Sequence, residues 1–157
     1  DEGALVPHLE RVELRELLDH VVAELELKAQ AAGVELTHTV DALSIRADPG
    51  LVQRVFENLV ENAIRHAPES SVIRVSARRA GSTLEVRVAD QGPGIAPEAR
   101  AKIFEPFVQL EAGEHRTGRG LGLTFCKVAV EAHGGRIWIE DQNPGAVFCT
   151  SFPDQDG

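Results

Sequence analysis

The segment DPGLVQRVFENLVENAIRH spans residues 48–66 and predicts the helix on which the rest of the chain is arranged. It opens with Asp48 and Pro49, a capping carboxylate followed by a proline at the first helical position. The next residues, Ala67 and Pro68, end it because the residue before a proline avoids helical backbone angles. One face of the helix is apolar and can pack on a sheet, through Val52, Phe56, Leu59, Val60 and Ala63.

The opposite face of this helix carries two carboxamides, a guanidinium and an imidazole, from Asn58, Asn62, Arg65 and His66. Carboxamide oxygens suit Mg²⁺, which takes oxygen ligands and keeps several waters. A guanidinium suits phosphate through its fork of donors. The stripe therefore indicates a phosphate and metal surface, with an ordinary solvated helix face as the alternative.

Upstream, residues 1–10 are expected to form a short lead-in. Apolar residues recur at helical spacing from Val12 to about Ala32, and Gly33 follows as a candidate helix cap. Alternating patterns predict strands at 34–40 and 43–47.

Downstream, the pattern predicts four strands, at 72–78, 83–90, 136–140 and 146–152. It predicts two further helices, at 98–104 and 121–133, and a mobile loop at 108–118. Hairpins outnumber strand-helix-strand units, so the expected fold class is α/β (α+β): a two-layer sandwich of a mixed, mostly antiparallel sheet with helices on one face.

The composition of the chain limits the classes of function that it can have. The length of 157 residues fits one domain with a single core. The formal net charge of -9 argues against a nucleic-acid surface, which needs a basic stripe. Cys126 and Cys149 lie in apolar surroundings without metal-site spacing, which predicts buried free thiols in a reducing compartment. No apolar run approaches the ~20 residues of a membrane span.

Two glycine-rich segments add candidate chemistry. Asp90-Gln-Gly-Pro-Gly-Ile95 follows a predicted strand, where a carboxylate can accept a hydrogen bond from a base amino group. Residues Gly118–Leu123 open a predicted helix, where backbone N–H groups can approach a phosphate. Each segment taken alone is also compatible with an ordinary turn.

The four segments together, in this order, resemble the N, G1, F and G2 boxes of histidine kinase catalytic domains in the GHKL superfamily. The matching stretches are 57–66, 90–94, 103–107 and 118–123. The endings Gly134–Ile139 and Gly145…Pro153 are also similar, so the resemblance covers about residues 12–153. It implies a GHKL (Bergerat-type) ATP-binding fold with a mobile ATP lid.

The resemblance also implies roles. Asn62 is expected to hold Mg²⁺, with Asn58 in support, and Arg65 and His66 to meet phosphate or ribose oxygens. Asp90 is expected to bind the adenine amino group. Asn58, Asn62 and Arg65 form the expected catalytic set. The remaining cofactor-binding candidates are Gly92, Gly94, Ile95, Phe107, Arg116, Thr117, Gly118, Arg119, Gly120, Leu121, Gly122 and Leu123. Residues 108–119 would be the ATP lid, with Arg116 and Arg119 as candidates for the γ-phosphate.

The ATPases of the superfamily place a glutamate general base four residues before the metal-binding asparagine, where this chain has Asn58. A protein histidine kinase is therefore favoured over an ATPase or an anti-sigma serine kinase. A nucleotide-binding pseudokinase or partner-interaction module is the alternative. His8 and His20 lack the sequence context of an acceptor histidine.

The implied organisation is a lead-in at 1–11 from an upstream helical dimerisation domain, a catalytic domain at 12–153 and a polar tail at 154–157. Implied partners are ATP and ADP, the dimerisation and phosphotransfer domain of the same protein and, indirectly, a response regulator. The full-length protein is expected to be a cytoplasmic homodimer, or to include this domain as the cytoplasmic part of a membrane-bound sensor. The isolated domain is expected to be a monomer.

Overall fold

A computed structural model describes residues 5–105 and 119–154, with the side chains of 119–121 left out. Within this part the strands are β1 Glu10–Glu13, β2 Glu35–Val40, β3 Ser44–Ala47, β4 Val72–Ala80, β5 Thr83–Asp90, β6 Arg136–Asp141 and β7 Ala146–Pro153. The α-helices are α1 Leu14–Ala31, α2 Pro49–His66 and α3 Arg119–Ala132.

The main sheet has five strands in the order β2-β4-β5-β7-β6. β2 and β4 run parallel because α2 forms the crossover between them, and the other three pairings are antiparallel. A separate antiparallel pair joins β1 to β3. The predicted mixed, mostly antiparallel sheet is therefore confirmed.

The central helix forms where the sequence predicts it. Asp48 caps α2 by accepting a hydrogen bond from the Leu51 N–H at 3.2 Å, and Pro49 occupies the first position. The helix ends at His66 before the Ala67-Pro68 pair. All five predicted apolar positions of α2 are fully buried at 0% exposure.

The core lies between the helices and one face of the sheet. α2 and α3 pack against each other and against the sheet, and α1 packs on α2 and β2. Phe56 of α2 meets Phe152 of β7 edge-on, with ring centroids 6.2 Å apart. Cys126 and Cys149 are both free and buried, as predicted, and burial raises the pKa of each thiol to about 12.

Several predicted boundaries were wrong. The first helix begins at Leu14, because residues 10–13 pair with β3 instead of continuing the helical pattern from Val12. The predicted helix 98–104 is two short 3₁₀ turns, Pro97–Ala99 and Lys102–Phe104. The last helix begins at Arg119, two residues earlier than predicted. Other element ends shifted by one or two residues.

Gly33 does end the first helix region, with φ +74° and its N–H bonded to the Gln30 carbonyl. No helix in residues 5–105 and 119–154 is both long and apolar enough to cross a bilayer.

Candidate functional site

A cavity of about 230 Å³ lies between α2 and the ends of β5 and β7. Its lining is Asn62, His66, Asp90, Pro93, Gly94, Ile95, Ile103, Ala146 and Phe148. The lining is mostly apolar with a few convergent polar groups, the composition typical of a small-molecule site. Five of the sequence-predicted residues, drawn from two separate segments, therefore meet in one cavity: Asn62, His66, Asp90, Gly94 and Ile95.

Asp90 is the last residue of β5 and is only 4% exposed. Its carboxylate accepts a hydrogen bond from the Gly92 N–H at 2.8 Å. Burial raises the pKa of Asp90, while the N–H groups of Gly92 and Ala146 and the nearby His66 act in the opposite direction. A carboxylate offers about four acceptor positions. The two backbone donors therefore leave it capacity to accept from a ligand.

Two glycines let the backbone close around Asp90. A Cβ on Gly92 would lie 2.7 Å from the His66 carbonyl oxygen, and one on Gly145 would lie 1.9 Å from the Asp90 carbonyl oxygen. Gly145 also has φ +111°. These contacts are with backbone atoms, which cannot move aside like a flexible side chain. A side chain at either position would therefore force the backbone of the turns at 92–94 and 144–145 to shift.

Asn62 lies on the α2 side of the cavity. The alternative of an ordinary solvated helix face does not hold at Asn62, since it is 3% exposed and its Oδ1 accepts a hydrogen bond from Arg65 Nη2 at 3.0 Å. Within the polar stripe Asn62 is the buried member, while Asn58 and Arg65 are partly exposed. His66, one turn on, stays exposed at the cavity rim.

Asn58 and Gly122 meet where α2 crosses α3. A Cβ on Gly122 would lie 3.3 Å from Asn58 Oδ1, so the glycine allows α3 to approach this carboxamide closely. Leu123 is 2% exposed and belongs to the hydrophobic core, and it does not line the cavity.

The glutamates beside Asn58 are turned to other partners. Glu61 forms an ion pair with Lys28 of α1 at 2.5 Å. Glu57 accepts a hydrogen bond from Gln53 Nε2 at 3.0 Å. Among the described residues, Asp90 is the sole carboxylate that lines the cavity.

Part of the predicted site lies outside the described residues. This applies to Phe107, Arg116, Thr117 and Gly118, and to all other residues of the predicted lid 108–119 except Arg119. For Arg119, Gly120 and Leu121 the backbone is the start of α3 and the side chains are not described.

Sequence reasoning missed four cavity residues: Pro93, Ile103, Ala146 and Phe148. Pro93 and Ile103 were inside segments already singled out, so their positions were a usable signal. Ala146 and Phe148 were missed because only the pairing of β5 with β7 sets Ala146 opposite Asp90. No local pattern in β7 marks them.

These observations can be compared with known proteins. Residues 47–156 match the family model described as histidine kinase-, DNA gyrase B-, and HSP90-like ATPase. The match covers more than half of the chain, and the chain belongs to this family. Within the family it is a catalytic (ATP-binding) domain of the sensor histidine kinase type, as its relatives and structural neighbours indicate.

Among curated proteins, the alginate biosynthesis sensor protein KinB of Pseudomonas aeruginosa is 44% identical over 103 residues, covering 65% of this chain. The sensor protein KdpD of Rathayibacter rathayi is 35% identical over 145 residues, covering 92% of this chain. The chain spans 17% of the length of each of these two relatives.

Among solved structures, full-length ShkA in complex with AMPPNP matches with a TM-score of 0.85 and 32% identity, over 96% of this chain and 32% of that one. A nucleotide-free catalytic domain of histidine kinase ThkA matches with a TM-score of 0.83 and 31% identity, over 94% of this chain and 98% of that one. ThkA in complex with response regulator protein TrrA gives 0.81 and 29%, over 95% and 42%.

Proposed function

We propose that this domain binds Mg²⁺-ATP in the cavity between α2 and β5, and that it donates the γ-phosphate to a histidine on a separate domain. The observation that carries the proposal is Asp90, a buried carboxylate with spare acceptor capacity at the end of an apolar cavity. An adenine amino group is a donor that suits this acceptor. Asn62 and His66, on the α2 side, would then face the sugar and phosphates. The solved complex of ShkA with AMPPNP supports a nucleotide ligand for this fold.

The donor set fits Mg²⁺ although it contains no carboxylate cluster. No group of three or more His, Cys, Asp or Glu side chains able to hold a metal occurs in the part of the chain described. Mg²⁺ in nucleotide sites takes most of its ligands from phosphates and water, so one protein oxygen suffices. Asn62 Oδ1 would supply it, and Arg65, which already bonds this oxygen, would hold the carboxamide in position. The ion would neutralise phosphate charge during transfer.

Transfer to an acceptor is favoured over hydrolysis because, within residues 5–105 and 119–154, no glutamate lines the cavity to activate water. The position four residues before Asn62 is Asn58, and its carboxamide packs at Gly122. Glu57 and Glu61 are turned to Gln53 and Lys28, away from the cavity lining. A histidine acceptor brings its own nucleophile and needs no such base.

The acceptor histidine would come from a helical dimerisation domain of the same protein, joined through the lead-in that we assign to residues 1–11. The catalytic domain would span 12–153, followed by a polar tail. Onward transfer to a response regulator is consistent with the solved complex of ThkA with TrrA. We further propose a homodimeric full-length protein with this domain in the cytoplasm, and a monomeric isolated domain.

The test mixes the 157-residue chain with Mg²⁺-ATP labelled at the γ-phosphate and a panel of isolated acceptor-histidine domains. We expect acid-labile phosphate on at least one acceptor. The chain alone should carry no stable label on its own histidines, His8, His20, His38, His66, His115 and His133. Asn62→Asp adds a charge beside the phosphates and should weaken ATP binding more than ADP binding, and lower transfer.

Glu61→Gln is the matched control, since it changes a charge on the same helix outside the cavity. Nucleotide binding without transfer to any acceptor would support the pseudokinase alternative. Rapid hydrolysis by the isolated chain would contradict the proposed division between donor and acceptor domains.

A further inference from the structure

The face of the main sheet opposite the helices carries a second cavity, of about 200 Å³, which we call the sheet-face pocket. It is lined by Thr37, Thr39, Arg74, Val75, Ser76, Arg87, Ala89, Gln142 and Val147. Two of these side chains are arginines and none is acidic. The chain has 25 acidic and 16 basic residues, so a cavity lined by two arginines and no acidic residue differs from the overall negative charge of the chain.

The strand register explains why a cavity forms here. One row of side chains crosses the sheet as Thr37, Arg74, Ala89 and Val147. The next row crosses it as Thr39, Ser76, Arg87 and Cys149. The two small residues therefore occupy one diagonal of a square and the two arginines occupy the other. Diagonal neighbours in an antiparallel pair lie about 7–8 Å apart, so both guanidinium groups can reach one ligand between them.

The two arginines differ in whether nearby carboxylates already balance their positive charge. Arg87 Nη2 donates to Glu140 Oε1 at 2.7 Å, and its Nη1 lies 3.5 Å from Glu85 Oε1. For Arg74 no carboxylate of residues 5–105 or 119–154 lies within ion-pair distance. Arg74 therefore brings an unmatched positive charge beside Arg87, whose guanidinium is held by two glutamates.

We propose that the sheet-face pocket binds a small oxyanion, either a phosphate or a carboxylate group, between Arg74 and Arg87. A guanidinium presents a planar fork of donors that matches either group. The hydroxyl groups of Thr39 and Ser76 add further donors, whereas the Thr37 hydroxyl already donates to the Ile73 carbonyl oxygen at 3.3 Å. The walls thus supply donors on several sides, and the small Ser76 and Ala89 leave room between them.

This pocket is separate from the candidate nucleotide cavity, although the two share strands. Ala89 and Val147 line the sheet-face pocket, while their neighbours Asp90 and Ala146 line the nucleotide cavity on the other face. Gln142 lines the sheet-face pocket and donates to the Asp90 carbonyl oxygen at 2.7 Å. A phosphate titration must therefore distinguish the two faces.

The test follows backbone amide shifts by NMR while inorganic phosphate, and separately succinate, is titrated into the chain with its nucleotide cavity saturated by Mg²⁺-ADP. Sodium chloride at matched ionic strength is the control for screening. We expect saturable shifts at Thr37, Ser76 and Ala89. Arg74→Gln should weaken binding of the anion roughly tenfold, which corresponds to a loss of about 1.4 kcal/mol in binding free energy.

Arg78→Gln is the matched control variant. Arg78 lies on the same strand and face, one row further, outside the pocket and 3.7 Å from Glu85. The Arg78→Gln variant should change the affinity for the anion by no more than about twofold, since exposed charges at this range contribute little to binding. If phosphate alone gives saturable shifts, the pocket binds phosphate groups. If succinate gives saturable shifts, the pocket binds carboxylate groups.

Three results would overturn the proposal. The first is the absence of saturable shifts with either anion. The second is an equal loss in Arg74→Gln and Arg78→Gln, which would indicate general charge attraction. The third is a set of shifts confined to Asn62 and His66, which would place the anion in the nucleotide cavity.

Discussion

Asp90→Ala tests the base-binding role most directly. In the structure one carboxylate oxygen accepts the Gly92 N–H, and the group stays 96% covered, with spare acceptor capacity toward the cavity. A hydrogen bond to a charged group contributes about 1.5–3 kcal/mol. At 1.4 kcal/mol per factor of ten, its loss should weaken nucleotide binding roughly ten- to a hundred-fold. ATP and ADP should lose the same factor because they carry the same base.

The assay is a calorimetric titration of ATP, ADP and GTP into the wild type and Asp90→Ala. Wild type should prefer ATP to GTP, since guanine presents a carbonyl to the carboxylate and two acceptors would face each other. Glu98→Ala is the matched control, because it removes an exposed carboxylate eight residues further along the chain that does not line the cavity. Unchanged ADP affinity in Asp90→Ala, or equal ATP and GTP affinity in the wild type, would refute the reasoning.

Three further predictions follow from the same geometry. Gly92→Ala should lower the thermal midpoint, by an amount equivalent to about 1–3 kcal/mol, and weaken ADP binding, because its Cβ would lie 2.7 Å from a backbone oxygen. Gly50→Ala is the control, because its Cβ would make only an ordinary contact at 3.6 Å, and it should be neutral or stabilising by up to about 1 kcal/mol. A similar loss of stability in both variants would count against this explanation. Burial raises the pKa of Asp90, and protonation removes the capacity of its carboxylate to accept hydrogen bonds. The affinity for ADP should therefore fall as the pH falls through that raised pKa. The Asp90→Ala variant should lack this pH dependence. Cys126 and Cys149, with pKa values of about 12, should resist alkylation of the native protein at pH 8, and fast labelling before unfolding would contradict their burial.

Where neighbouring residues determine structure, the sequence was sufficient. The capping pair at Asp48-Pro49 and the 3.6-residue apolar repeat predicted α2, and both bounds were confirmed. The four ordered motifs identified the family because motif spacing is a property of the chain itself. By contrast, β1 carries no local mark, since its pairing with β3 depends on residues more than thirty positions away.

The sequence by itself therefore determined the fold class, the family and five of the nine residues that line the cavity. Tertiary structure alone decided how those residues are used, because burial and pairing depend on contacts between distant segments. Packing of α2 buried Asn62, which helical periodicity had placed on the polar face of the helix. The β5–β7 register brought Ala146 opposite Asp90, and the β4–β5 register set Arg74 and Arg87 on one diagonal of the other face. Helix and strand periods assign a residue to a face, but only the packed sheet decides what that face meets.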